Sequence, residues 1–161
     1  MAPLPPFESR FLYPRYWLTW IGIGLWALTA QLPYGWQMFL GDRLGDITRW
    51  LARSRRHVTR INLETCFPEM TPREHAELLI ANFRSVGRAF LEIGFAWWGR
   101  DAKVRALCHI TGLEHLEAAK AEGRGVMLLT SHMTPLEIAA RILGTAWPHC
   151  TLMYKDYDNP V

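Results

Sequence analysis

The stretch Val126-Met127-Leu128-Leu129-Thr130-Ser131-His132-Met133-Thr134-Pro135-Leu136-Glu137 decides how this chain is read. Val126 to Thr130 is a continuous apolar run of strand length, the pattern of a strand buried on both faces. It is expected to end at Thr130, and the next helix starts at Thr134. His132 would then lie just past the C-terminal end of a strand, where open α/β sheets form their ligand crevices. A histidine there can act as a base near neutral pH. Glu137, in the first turn of the next helix, can fold back to fix the imidazole tautomer and stabilise the imidazolium. Bland readings stand beside these. His132 can be a hydrogen-bonded histidine at a strand end. Thr134-Pro135-Leu136-Glu137 is itself a capping box, a role that does not exclude catalysis. Ser131 makes no pair with His132, because adjacent side chains on a strand diverge.

Outward from this stretch the pattern alternates. Upstream, Thr71-Pro72-Arg73-Glu74 opens a long helix with a capping box and a proline in its first turn. Leu79, Phe83, Val86, Phe90, Ile93 and Trp97 follow at spacings of four and three, one helical face read as core. Gly99-Arg100-Asp101 ends this helix. Val104 to Thr111 is a strand candidate, and Leu113 to Ala121 reads as a helix. Gly123-Arg124-Gly125 separates that helix from the buried strand. Downstream, a helix runs from Thr134 to Gly144, and Cys150 to Tyr154 is a further strand candidate. Helix, strand, helix, strand in this order predicts an α/β fold with a parallel or mixed sheet.

The N-terminal part differs in kind. No formally charged residue occurs from Tyr16 to Gly41. Its more apolar portion, Tyr16 to Leu32, would reach about 25 Å as a helix, against a hydrocarbon core of about 30 Å. A tilted membrane span and an in-plane insertion are both open. A cleaved signal peptide and a buried core helix are weaker readings. Tyr16, Trp17, Trp20, Tyr34 and Trp36 suit a headgroup layer. Arg43, Arg49, Arg53, Arg55, Arg56 and Arg60 then follow, opposed only by Asp42 and Asp46. The positive-inside rule puts this flank in the cytoplasm. It is either a solvated face beside a membrane or a site for an anionic lipid or acidic carrier protein.

Composition narrows the function. The chain has 161 residues, with 18 Lys and Arg against 15 Asp and Glu, a mild and localised excess that does not describe a nucleic-acid binder. Cys66, Cys108 and Cys150 are an odd, scattered set, which suits a reduced compartment and argues against a disulfide framework. His132 to Glu137 has neither HExxH spacing nor neighbouring metal ligands.

The segment His132-Met-Thr-Pro-Leu-Glu137 resembles the HxxxxD/E motif of lipid acyltransferases. Around it stand Pro14-Arg15-Tyr16-Trp17, Asn62-Leu63-Glu64-Thr65-Cys66-Phe67-Pro68-Glu69, Asn82-Phe83, Ser85-Val86-Gly87, Gly112-Leu113-Glu114-His115 and Arg124-Gly125, with Tyr154 and Asp158-Asn159-Pro160 beyond. This setting is similar to the late acyltransferases of lipid A biosynthesis, the lauroyl/myristoyl transferase family, along almost the whole chain. The resemblance implies an acyl-carrier-protein-dependent O-acyltransferase on the inner membrane, facing the cytoplasm. It would move a fatty acyl group to a hydroxyl of a Kdo-bearing lipid A precursor. His132 would be the general base and Glu137 its orienting carboxylate, with no cofactor and no metal.

The expected architecture is an N-terminal membrane helix followed by an acyltransferase-like mixed sheet flanked by helices, the sheet incomplete in this chain. Residues 1–41 would be the anchor, 42–70 a basic juxtamembrane helix and connector, and 71–161 the first part of the α/β domain. The abrupt end at Asp158-Asn159-Pro160-Val161 is read as a truncation. Two other functions compete: a glycerolipid-type acyltransferase, with the same motif chemistry, and an inactive membrane-associated fragment.

Overall fold

The computed structural model describes residues 9–123, 125–130, 134 and 136–147. After two short 3-10 turns, seven helices follow among these residues: α1 (Trp17–Thr29), α2 (Tyr34–Leu51), α3 (Arg53–Cys66), α4 (Pro72–Trp98), α5 (Asp101–Ala106), α6 (Leu113–Ala121) and α7 (Leu136–Ala146). The long helix α4 is the spine, and α1, α2, α3 and α7 all pack on it.

Helix α4 starts where the sequence places it. Thr71 Oγ1 accepts from Glu74 N at 3.4 Å, and Thr71 N donates to Glu74 Oε2 at 2.7 Å. Two otherwise orphaned amides are satisfied reciprocally. These hydrogen bonds, from the Thr71 backbone first, hold the Glu74 carboxyl below its ordinary range.

Helices α2 and α4 run antiparallel and touch backbone to backbone. A Cβ on Gly41 would lie 2.7 Å from Arg88 Cα, one on Gly45 2.6 Å from Arg84 Cα, and one on Gly87 2.6 Å from Gly45 N. No side chain fits at such distances, so these three glycines set how closely the helices approach. Two guanidinium forks border the seam. Arg84 donates from Nε and Nη2 to the Asp46 carboxylate, both at 3.0 Å. Arg88 does the same to Asp42 at 2.6 and 2.8 Å. Planar bidentate pairs add geometric specificity to their charge.

The expected core stripe on α4 is displaced around the helix. Phe83, Gly87, Leu91, Gly94 and Phe95 form the buried face, while Val86, Phe90 and Trp97 are exposed. A backbone-close crossing buries glycines, which hydrophobic periodicity does not count, so the apolar weight falls on the flank instead. Trp26 of α1 covers part of that flank. Its ring stacks on Phe90 with centroids 4.6 Å apart, and its indole N–H donates to Phe90 O at 2.9 Å. A Cβ at Gly94 would fall 2.6 Å from Trp26 Nε1.

The expected N-terminal membrane helix is not found. No helix among the described residues is long and apolar enough to cross a membrane. Helix α1 has 13 residues, which is about 20 Å. The apolar run breaks at Pro33, which has no N–H to continue a helix and lies just before α2. Helix α2 then carries Asp42, Arg43, Asp46 and Arg49 along its length.

The α/β expectation is also overturned, because no strand occurs among the described residues. Val126 to Thr130 is irregular, with Met127 85% and Leu129 98% exposed. An apolar run becomes a strand only when a neighbour completes its hydrogen-bond ladder. None of the described residues offers such a ladder, so the expected incomplete mixed sheet is absent from them. The second strand candidate, Cys150 to Tyr154, lies outside the described residues. The third, Val104 to Thr111, begins inside α5. That helix opens on Asp101 and closes on Lys103 and Arg105, charges that complement its dipole, and it buries Val104.

Candidate functional site

Of the two residues singled out by sequence, His132 lies outside the described residues. Glu137 is half-buried in the first turn of α7. The strand that was to present His132 is replaced by the irregular, exposed segment before it. The structure therefore fixes one partner of the pair through its helix.

The position of α7 is set by a residue that the sequence reading did not single out. Arg141 follows Glu137 by one helical turn, on the same face. Its guanidinium donates to Gly99 O at 2.7 Å, to Phe95 O at 3.3 Å, and also to Ala96 O and the Asp101 carboxylate. These carbonyls lie at the C-terminal end of α4, where backbone acceptors run short of amide donors, although Phe95 O also accepts from Gly99 N at 2.8 Å. A cation there also matches the negative end of the α4 dipole. Arg141 thus bolts α7 to the end of the spine. The available signal was a lone arginine within the amphipathic segment Leu136 to Ala146.

Beside Arg141, a cleft of about 220 Å³ opens between α5 and α7, lined by Val104, Cys108, Ile110, Ile142 and Thr145 among others. Burial pushes the Cys108 thiol up from its ordinary value, away from thiolate reactivity.

The basic run resolves into separate roles. Arg43 reaches Asp46 at 3.2 Å. The Arg49 carbonyl accepts from Arg56 Nη1 at 3.2 Å. Arg53, Arg56 and Arg60 line a cleft together with His57 and Leu79. Asp42 and Asp46, the acids expected to oppose this run, accept their hydrogen bonds chiefly from Arg88 and Arg84 of α4, which keeps both carboxyls below the ordinary aspartate range, with Arg43 adding to Asp46.

Comparison with known proteins gives the class first: bacterial lipid acyltransferases. The chain belongs to the bacterial lipid A biosynthesis acyltransferase family, whose profile matches residues 4–161. It is 40% identical over 159 residues to the lipid A biosynthesis palmitoleoyltransferase of Escherichia coli (strain K12), covering 99% of this chain and 52% of that protein. It is 38% identical over 161 residues to the lauroyltransferase of the same organism, covering 100% and 52%. The myristoyltransferase is more distant, 27% identical over 158 residues and covering 98% and 49%. The chain spans about half the length of the curated relatives it matches. No solved structure matches it.

Proposed function

We propose that this chain serves lipid A acylation: transfer of a fatty acyl group from acyl carrier protein to a hydroxyl of a Kdo-bearing lipid A precursor. The observation that carries the reading is the family match, which runs through the His132 to Glu137 segment. In this mechanism His132 takes the proton of the acceptor hydroxyl as its oxygen attacks the thioester carbonyl. The carrier thiol leaves, and the imidazolium returns the proton to its sulfur. Glu137 orients the imidazole and stabilises its charged form. Arg141 supports this role by holding the helix that carries Glu137.

The same reading seats the protein against the cytoplasmic side of the inner membrane. Leu18, Ile21, Leu25 and Leu28 are exposed at spacings of three and four on α1, one face that no element among the described residues covers. With Trp97 exposed on α4, this surface suits contact with the acyl boundary of a bilayer, lying along it.

The test is mass spectrometry of lipid A from cells lacking the gene, complemented with wild type, His132→Ala or Glu137→Ala. Restoration of a secondary acyl chain by wild type and not by His132→Ala supports both the reaction and the base. Equal restoration by both proteins would eliminate His132 as the base. A new acyl chain on a glycerolipid, with lipid A unchanged, would move the acceptor to that class.

A further inference from the structure

The first turns of α3 are assembled against ordinary helix electrostatics. Arg53, Arg55 and Arg56 occupy its N-terminal turn, no acidic residue stands there, and Ala52 provides no side-chain cap. Cations at that end oppose the helix dipole. Arg53, Arg56 and Arg60 also recur on one face at spacings of three and four, where like charges repel. Carboxylates relieve the charge on the neighbouring helices, at Arg43, Arg84 and Arg88. Arg53 and Arg56 have no carboxylate partner among the described residues. Arg60 has only Glu64 at 3.8 Å, with both side chains more than half exposed.

These side chains enclose a cleft of about 230 Å³, lined by Arg53, Arg56, His57 and Arg60, with Leu79 of α4 as its apolar wall. Arg60 Nη2 lies 3.3 Å from His57 Nδ1. With Nδ1 accepting from the guanidinium, the imidazole proton resides on Nε2, a further donor. Nearby, the Arg49 Nε is buried without a hydrogen-bond partner. Three guanidinium groups and an imidazole N–H form a donor set with no carboxylate lining the cleft. Guanidinium forks match tetrahedral oxyanions.

We infer that this cleft binds a phosphomonoester group carried by a lipid. The inference rests on the proposed acylation of a membrane lipid, and it adds a place where the headgroup is gripped away from Glu137. A small cleft with convergent donors suits one compact dianion. An acidic carrier protein would instead present several carboxylates along an extended face.

The test is vesicle co-sedimentation of the full chain. Phosphatidylcholine vesicles carry either phosphatidic acid, a phosphomonoester, or phosphatidylglycerol, a diester, adjusted to equal surface charge. The expected result is at least tenfold tighter binding to the phosphatidic acid vesicles. Arg53→Gln/Arg56→Gln/Arg60→Gln loses that preference. Arg100→Gln/Arg105→Gln/Lys120→Gln, with the same charge change outside the cleft, keeps it. Circular dichroism confirms that both variants retain wild-type helicity; if the triple variant does not, Arg53→Lys and Arg56→Lys, which keep charge and lose the fork, replace it and are expected to weaken the preference severalfold. Equal binding to both vesicles, or equal loss in the two triple variants, overturns the inference. Inorganic phosphate titrated without vesicles separates the sources: binding as tight as to the lipid assigns the site to free phosphate and overturns the lipid assignment. Loss of acyl carrier protein binding in the cleft variant, with vesicle binding intact, makes it a protein-docking site and overturns it too. Loss of phosphomonoester preference in wild type while lipid A acylation persists in cells would refute the cleft alone.

Discussion

Arg88 lays Nε and Nη2 on the two carboxylate oxygens of Asp42, at 2.6 and 2.8 Å, and Arg84 repeats the fork on Asp46 one helical turn away. Both pairs are partly exposed, and solvent screens exposed ion pairs. Their main contribution is to orientation, holding α2 at a fixed register on α4.

Acid should loosen this crossing first. The Arg88 hydrogen bonds hold Asp42 below its ordinary range, and those of Arg84 do so for Asp46. A depressed folded-state value means that the contribution is present above the unfolded aspartate value of about 4 and is lost as pH falls through the folded value. Denaturant midpoints from pH 6 to pH 2 should drop more steeply for wild type than for Asp42→Asn/Asp46→Asn. Parallel curves would show that the forks contribute no pH-dependent stability.

Alkali should act at the other end of α2. Tyr34 Oη donates to Glu92 Oε1 at 2.7 Å, and burial, followed by this bond, pushes its phenol up to about 12. A raised folded value gives stability that is present below the free tyrosine value of about 10 and lost as pH rises from there towards 12. Absorbance at the tyrosinate band should show one late-titrating tyrosine that Tyr34→Phe removes. The substitution should cost about 1 kcal/mol at neutral pH.

Glycines that look alike in sequence should respond with opposite signs. Gly87→Ala forces a methyl group into the backbone of α2 and should cost about 1–3 kcal/mol, as overpacking does. Gly22→Ala in α1 meets open space and should stabilise by about 0.5–1 kcal/mol, the usual helix-interior gain. Thermal melts of the two variants moving in the same direction would contradict this account of the seam.

Removing Arg141 should release α7 without unfolding the spine. In Arg141→Ala, amide exchange across Leu136 to Ala146 should speed up at least tenfold, while protection in the middle of α4 is unchanged. If Glu137 acts as proposed, lipid A acylation in cells should fall with it, and Arg141→Lys should recover only part. Unchanged α7 exchange would show that packing, and not the guanidinium, holds that helix.

Local signals were legible in the sequence, and non-local ones were not. Thr71, Pro72 and Glu74 announced the start of α4, and Leu113 to Ala121 was recognised as a helix, because capping and periodicity act within a few residues. The family was legible too, from residues scattered along the chain. The sheet was misjudged, since Val126 to Thr130 has strand composition and a strand also needs a ladder neighbour. The membrane helix was overestimated because the apolar portion from Tyr16 to Leu32 was read as a single helix, whereas α1 runs only from Trp17 to Thr29. Arg141 was passed over because its four acceptors lie some 40 or more residues away along the chain. For the proposed catalytic pair, His132 rests on the sequence alone, whereas the structure contributes the setting of Glu137.

The glycine seam and its flanking forks also work as a vernier. Sliding α2 along α4 by one turn would still match one aspartate with one arginine, Asp42 with Arg84 or Asp46 with Arg88. It would strand the other pair and take Gly87 off its seat on Gly41 and Gly45, setting it beside a position that carries a side chain. Charge alone would permit several alignments, and close backbone approach alone would permit a few. Together they admit one. The surface carried by α3, in the chain between these two helices, therefore inherits a fixed address on the spine.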